Sequence, residues 1–176
     1  MAIDSEEYRR IVSRFTTGVT IATTFDPGGH TVTLTANAFT SVSLDPVLAL
    51  LSVQRSAAFH SAVLASGVWG VSILAAEHEA LSRFHASKVR HELDDSFEGV
   101  ATFPGAVTGV TLVDGAVATL ECRTTAAYPG GDHTLLLGTV ESAASPNPAG
   151  APLVFYEGTY RSLFDELPTF SDGRAP

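Results

Sequence analysis

Apolar and polar positions change their spacing several times along this chain. From Asp4 to Phe15, the residues Tyr8, Ile11, Val12 and Phe15 recur at helical intervals behind Asp4 and Glu7, which stand at capping-box distance. The pattern predicts a helix over Asp4–Phe15, ended by Gly18. "VTIATTF" and "TVTLTAN" are β-branched runs on either side of the turn signal "DPGGH", which predicts a hairpin. "VLALLSV" (Val47–Val53) is a continuously apolar strand opened by Asp45-Pro46, and "VWGVSIL" is another. A short helix is expected over Ala57–Ala65, closed by Ser66-Gly67. A further helix is expected over Ala76–His85, with Ala80, Leu81 and Phe84 on one face.

The segment from His85 to Gly105 contains "SKVRHELDDSFEG" and reads as a polar surface excursion, with His85 and His91 as surface histidines. Beyond it, "GVTLV", "AVATLECRTTAAY", "HTLLLGTVESAA" and "PLVFYEG" are separated by Asp114-Gly115, "PGGD" and "SPNPAG". This is the pattern of an antiparallel meander. About seven strands and three helices are expected, without the regular alternation that a doubly wound parallel sheet requires. The fold class is therefore mainly β with added helices: a closed or partly closed antiparallel barrel with peripheral helices. One domain is expected over residues 1–176, with a core of about 8–163 and an aperiodic tail at 164–176.

Composition narrows the function. The formal charge of −9 opposes binding to a phosphate backbone, so no nucleic-acid partner is expected. The single cysteine, Cys122, leaves no internal disulfide. "MAIDSEEYRRIVSRF" lacks the basic start and apolar run of a signal peptide, and no apolar run reaches transmembrane length. A cytoplasmic protein without a membrane partner is expected. GxGxxG after a strand, GxxxxGK[ST], HExxH, paired CxxC and GxSxG are all missing, so Rossmann, P-loop, zinc and serine-nucleophile chemistry have no support.

Four segments remain, each with two readings. "TLTANAFTSVSLDP" (Thr33–Pro46) is neutral and rich in hydroxyls. It is either a loop whose side chains bond its own backbone, or the lining for a neutral planar ligand. "GGDHTLLLGTV" puts His133 at the mouth of a hairpin, where it is either incidental or a ligand and proton contact. "VQRSAAFHSA" places Arg55 and Ser56 at a helix start, where Ser56 either caps the helix or helps receive a phosphate. "YEGTYRSL" is a final strand with half-buried tyrosines, or part of a binding mouth.

Taken together and in order, "RRIVSRFTTGVTIATT", "TANAFTSVSLDP", "SGVWGVSILAAEHEALSRF", "LECR" and "GDHTLLLGTVE" resemble the flavin reductase family, from about Tyr8 to Leu163. These are small NAD(P)H:flavin oxidoreductases of two-component monooxygenase systems. The resemblance implies the FMN-binding split β-barrel, usually as a homodimer with the flavin near the subunit interface. It implies that Thr35, Ala36, Asn37, Ala38 and Ser41 cradle the flavin, and that Ser52, Val53 and Gln54 form the strand end beneath it. Arg55 and Ser56 would grip the ribityl phosphate, Arg83 and Phe84 would lie close to the flavin, and Tyr160 would line the mouth. His133 would face the nicotinamide.

The implied reaction is hydride transfer from nicotinamide C4 to flavin N5, with rings stacked by the protein. The substrates are FAD or FMN, held dissociably and released reduced to a partner monooxygenase. NADH is favoured over NADPH, because no arginine cluster awaits a 2′-phosphate. Relatives often carry a further Ser or Thr in the phosphate segment, where this chain has Ala57, Ala58 and Phe59. Fewer hydroxyls imply fewer phosphate bonds. Two alternatives share the same barrel: a non-catalytic flavin carrier, and an oxidoreductase that retains its flavin.

Overall fold

The computed structural model describes residues 3–87, Phe97 and residues 99–163. In chain order the elements are α1 (Ser5–Val12), β1 (Thr17–Gly18), β2 (Thr20–Phe25), β3 (Thr31–Ala36), β4 (Phe39–Leu44), β5 (Val47–Gln54), α2 (Ala58–Ser66) and β6 (Val68–Ile73). A 3₁₀ turn (Ala76–His78) leads into α3 (Glu79–Ala86). Then follow β7 (Thr102–Pro104), β8 (Thr111–Val113), β9 (Ala118–Gly130), β10 (His133–Ala144), β11 (Leu153–Tyr156) and β12 (Thr159–Ser162).

Seven strands form one antiparallel sheet in the order β3-β2-β6-β9-β10-β5-β4. Its two edges, β3 and β4, are consecutive in sequence and share no ladder, so the barrel is split there. The sheet nevertheless curls round a single core. Ala22 of β2, Leu51 and Val53 of β5, Trp69 and Val71 of β6, Cys122 of β9 and Leu136 of β10 are buried together, with Phe59 and Val63 of α2 closing one end. Val32, Leu34 and Ala36 from one edge, and Phe39 from the other, pack against that same cluster. Burial of large apolar side chains such as these contributes roughly 1.5–3 kcal/mol each, which is what holds the unpaired edges together. A smaller cluster outside the barrel joins Val19, Ile21, Leu74, Leu81, Val113 and Leu153, with Phe155 and Tyr160 packed on it. It lies under the small sheet β1-β11-β12.

Several expectations change in the structure. The first helix stops at Val12, with Asp4 capping Glu7 N–H as the spacing predicts. Arg14 and Phe15 only form single turns back to Ile11 and Val12. Gly18 does not end the helix; it belongs to β1 and pairs with Val154, since the β-branched run Thr16–Thr17 favours extension. "TLTANAFTSVSLDP" is not a loop. It is the end of β3, two connecting residues, all of β4 and the Asp45-Pro46 turn, because its threonines and apolar residues alternate as strands do. Ser56 does not cap α2; Ala57 is the cap residue and supplies no side-chain bond. In α3 the buried residues are Leu81, Ser82 and His85 rather than Ala80 and Phe84. The final segment is a hairpin, β11–β12, and not one strand: Glu157 and Gly158 both take positive φ at its tip. His91 and the tail beyond Leu163 lie outside the described residues.

Candidate functional site

The site is built from the split edge outward. On β3 the side chains alternate. Val32, Leu34 and Ala36 fill the barrel, and Thr33 and Thr35 reach α3. Thr35 Oγ1 donates to the Ser82 carbonyl at 3.1 Å, and Thr33 Oγ1 lies 2.8 Å from His85 Nδ1. His85 is therefore fully buried and not a surface histidine, as its polar neighbours in sequence suggest. At the end of β3, Thr20 Oγ1 donates to the Ala36 carbonyl at 2.7 Å. The chain then turns through exposed Asn37 and Ala38, and the Ala38 carbonyl accepts the Ser52 N–H at 3.0 Å.

Beside this turn is a cleft of about 170 Å³ lined by Val19, Thr35, Ala36, Asn37, Phe155 and Tyr160 among others. Its far wall is aromatic. Phe155 and Tyr160 face each other across the β11–β12 hairpin, T-shaped, with centroids 5.3 Å apart. Arg83 lies over the Tyr160 ring at 4.6 Å, a cation–π contact, and is held there by Glu79 at 2.7 Å. The lining is otherwise neutral. It offers hydroxyls, one amide and backbone groups to a planar ligand.

A second cluster gathers where β5 meets β10. His133 stands directly opposite Gln54 in the ladder. Arg55 N–H donates to the Asp132 carbonyl at 2.9 Å, so the strand end carrying the cation is tied to the turn carrying the histidine. Gly131 has the positive φ that this turn needs. Asp132 Oδ1 lies 2.7 Å from His133 Nδ1. That hydrogen bond, with the charge of His133, holds the Asp132 carboxyl below its ordinary range. Arg55 and Ser56 are exposed at the start of α2, where the first N–H groups of a helix and its dipole favour an anion.

One backbone bond ties the two clusters together. The Ala38–Ser52 bond joins the cleft to β5, and Gln54 is two residues further along, roughly 7 Å of strand. The structure thus brings Thr35, Ala36, Asn37 and Tyr160 around the cleft, sets Arg83 on the Tyr160 ring, links Ala38 to Ser52, and groups Gln54, Arg55, Ser56 and His133. Others stand apart. Val53 is a fully buried core side chain, which leaves only its backbone for any ligand. Ser41 is exposed on β4 opposite Ala49. Phe84 is half-buried with its ring edge-on to His85 at 5.2 Å. Sequence reasoning did not single out Val19, Phe155, Ser82 or Asp132. The Glu157-Gly158 turn in "FYEGTY" could have revealed Phe155 and Tyr160 as a cross-strand pair, whereas nothing in the sequence marks Ser82.

The flavin reductase like domain matches residues 12–163. An NADH-dependent flavin reductase of Rhodococcus sp is 41% identical over 157 residues, covering 88% of this chain and 84% of the relative. An NADH-dependent FAD reductase of Streptomyces globisporus is 38% identical over 172 residues, covering 98% and 91%. Among solved structures, BorF, the flavin reductase component of a bacterial two-component tryptophan halogenase, superposes with a TM-score of 0.84 at 39% identity, covering 93% of this chain and 100% of that one. The match spans the split edge, the cleft and the Asp132–His133 turn alike, and the chain therefore belongs to the flavin reductase family.

Proposed function

We propose that this protein is an NADH-dependent flavin reductase that reduces FAD or FMN and releases the reduced flavin to a separate flavin-dependent oxygenase component. The observation that carries this reading is a neutral cleft lined by Thr35, Asn37 and Tyr160, tied through the Ala38–Ser52 bond to the strand that ends in Gln54, Arg55 and, across the ladder, His133. When bound, the flavin supplies an acceptor for the nicotinamide hydride. The chain's own residues do the rest. Thr35, Asn37 and the backbone at Ala36–Ala38 offer donors and acceptors to a ring edge. Tyr160 and Phe155 give an apolar wall. Arg55 and the first N–H groups of α2 would receive a phosphate. His133, fixed through Nδ1 by Asp132, presents its other nitrogen to the nicotinamide. At about 170 Å³ the cleft is smaller than the 300–1,000 Å³ that encloses a drug-sized ligand. It fits one edge of a ring system and leaves the remainder of the nucleotide across the open surface.

That shallow fit supports a flavin that comes and goes. Ala57 provides no hydroxyl at the cap of α2, and Phe59 is spent entirely on the core, so the phosphate segment is thin. The chain acts as a homodimer. α1 buries none of its residues, and Tyr8, Ile11, Val12 and Phe15 are all exposed. A helix of eight residues is too short to be stable in water without packing.

A steady-state matrix of NADH and NADPH against FAD, FMN and riboflavin tests the reading. Turnover with NADH and a flavin, and loss of flavin on dialysis, are expected. Tight flavin binding without NADH oxidation would identify a carrier instead. Stoichiometric flavin surviving dialysis would identify an oxidoreductase that keeps its cofactor.

A further inference from the structure

Three segments distant in sequence meet at one buried serine. Ser82, on α3, is fully buried. Its Oγ lies 2.8 Å from the Tyr160 phenol on β12, and its backbone carbonyl accepts the Thr35 hydroxyl of β3 at 3.1 Å. Thr35 and Tyr160 both line the cleft, so one residue holds both. We infer that Ser82 is a positioning residue for the flavin ring: its hydroxyl sets the Tyr160 ring opposite Thr35, which the backbone carbonyl of the same helical position holds. This rests on the flavin reductase reading above.

The physical argument begins with cost. A hydroxyl out of reach of water is destabilising unless it is bonded, and alanine or leucine would serve a purely packing role at this face of α3. The serine is satisfied by the phenol, and the phenol by the serine. The rest of Tyr160 is then constrained from two other directions. The next residue on α3, Arg83, stacks over its ring at 4.6 Å, and Phe155 meets it edge-on at 5.3 Å. Arg83 is itself pinned by Glu79. A tyrosine so held cannot swing away with its hairpin, and the cleft wall is set before a ligand arrives. Pre-set geometry reduces the ordering cost of binding, which matters most in a shallow site with few phosphate contacts.

The test is a double-mutant cycle of Ser82→Ala, Tyr160→Phe and the pair, read by flavin fluorescence titration, steady-state kinetics and thermal melting. Each single substitution should weaken flavin binding about 3- to 10-fold, with the KM for NADH unchanged. The double variant should be no weaker than either single one, because the two hydroxyls act through one bond. Ser82→Thr, which keeps the hydroxyl, should recover flavin affinity relative to Ser82→Ala. A lowered melting temperature with unchanged flavin affinity in both single variants would reduce Ser82 to a packing role and overturn the inference. Additive losses in the double variant would overturn it also. Wild-type protein that binds flavin yet oxidises no NADH would remove the reductase reading and leave the binding cycle to judge Ser82 by itself.

Discussion

Asp132 and His133, neighbours in sequence, form a 2.7 Å contact between Oδ1 and Nδ1, at the point where the Asp132 carbonyl also receives the Arg55 N–H. A carboxylate on one imidazole nitrogen fixes the ring's orientation and leaves the other nitrogen for a ligand. His133→Ala should raise the KM for NADH about tenfold, the weight of one hydrogen bond of roughly 1.4 kcal/mol, with the KM for flavin unchanged. Asp132→Asn should give a smaller rise in the same parameter. Steady-state kinetics with flavin saturating would check both, and an unchanged KM for NADH in His133→Ala would remove the histidine from the site.

The bare cap of α2 predicts a gain. Ala57 has the extended backbone of a cap residue but no side-chain bond. Ala57→Ser should supply it and stabilise the protein by roughly 0.5–2 kcal/mol, some 2–4 °C of melting temperature per kcal/mol for a chain of this size. The added hydroxyl should also tighten FMN relative to riboflavin, because only FMN carries the phosphate. Calorimetry and parallel titrations of the two flavins measure the effects separately.

Glu121 sits almost fully buried on β9. Its Oε2 accepts the Thr108 N–H at 2.6 Å, the Thr108 hydroxyl at 2.8 Å and the Val107 N–H at 3.0 Å. Burial alone would raise its pKa, but these donors outweigh burial and hold it below the ordinary value of 4.5. A depressed carboxyl contributes stability that is complete above its unfolded pKa and disappears as pH falls through the folded one. Glu121→Gln should therefore cost roughly 1–3 kcal/mol near neutrality. The difference from wild type should shrink progressively below about pH 4.5. Denaturant titrations at neutral pH and across the acid range test the sign, and a difference that widens in acid would contradict it.

The exposed face of α1 predicts a dimer that charge can break. Tyr8 is 57% and Ile11 48% exposed in the single chain. Ile11→Asp should convert the dimer to a monomer in light scattering and lower the melting temperature. No residue of α1 belongs to the barrel core, so the substitution leaves that core intact. A wild-type protein that is monomeric at micromolar concentration would end the proposal.

Much of the architecture is legible in the residues. Alternation in "TVTLTAN", continuous apolarity in "VLALLSV" and the turn residues around "GGDH" predict β3, β5 and the start of β10 because strand period and turn chemistry are local properties. Gly67 closes α2 in the left-handed conformation, as its position predicts. The misread elements depended on distant partners or on a one-residue shift of a turn. The first helix gives way after Val12, and Gly18 is claimed by Val154, more than a hundred positions along the chain. Ser56 looks like a cap, but the backbone turns one residue later.

The sequence by itself determined the class of fold, the neutral character of the Thr33–Pro46 segment and the membership that its ordered motifs disclose. Periodicity, charge and motif order are written along the chain and need no third dimension. Tertiary structure alone decided which hydroxyls face which partners. His85 reads as a surface residue among polar neighbours, yet it is buried against Thr33. Ser82 carries no signal at all, yet it joins Thr35 to Tyr160. Such contacts bridge positions 47 to 78 residues apart, and their existence depends on how the split sheet curls, which no local pattern specifies.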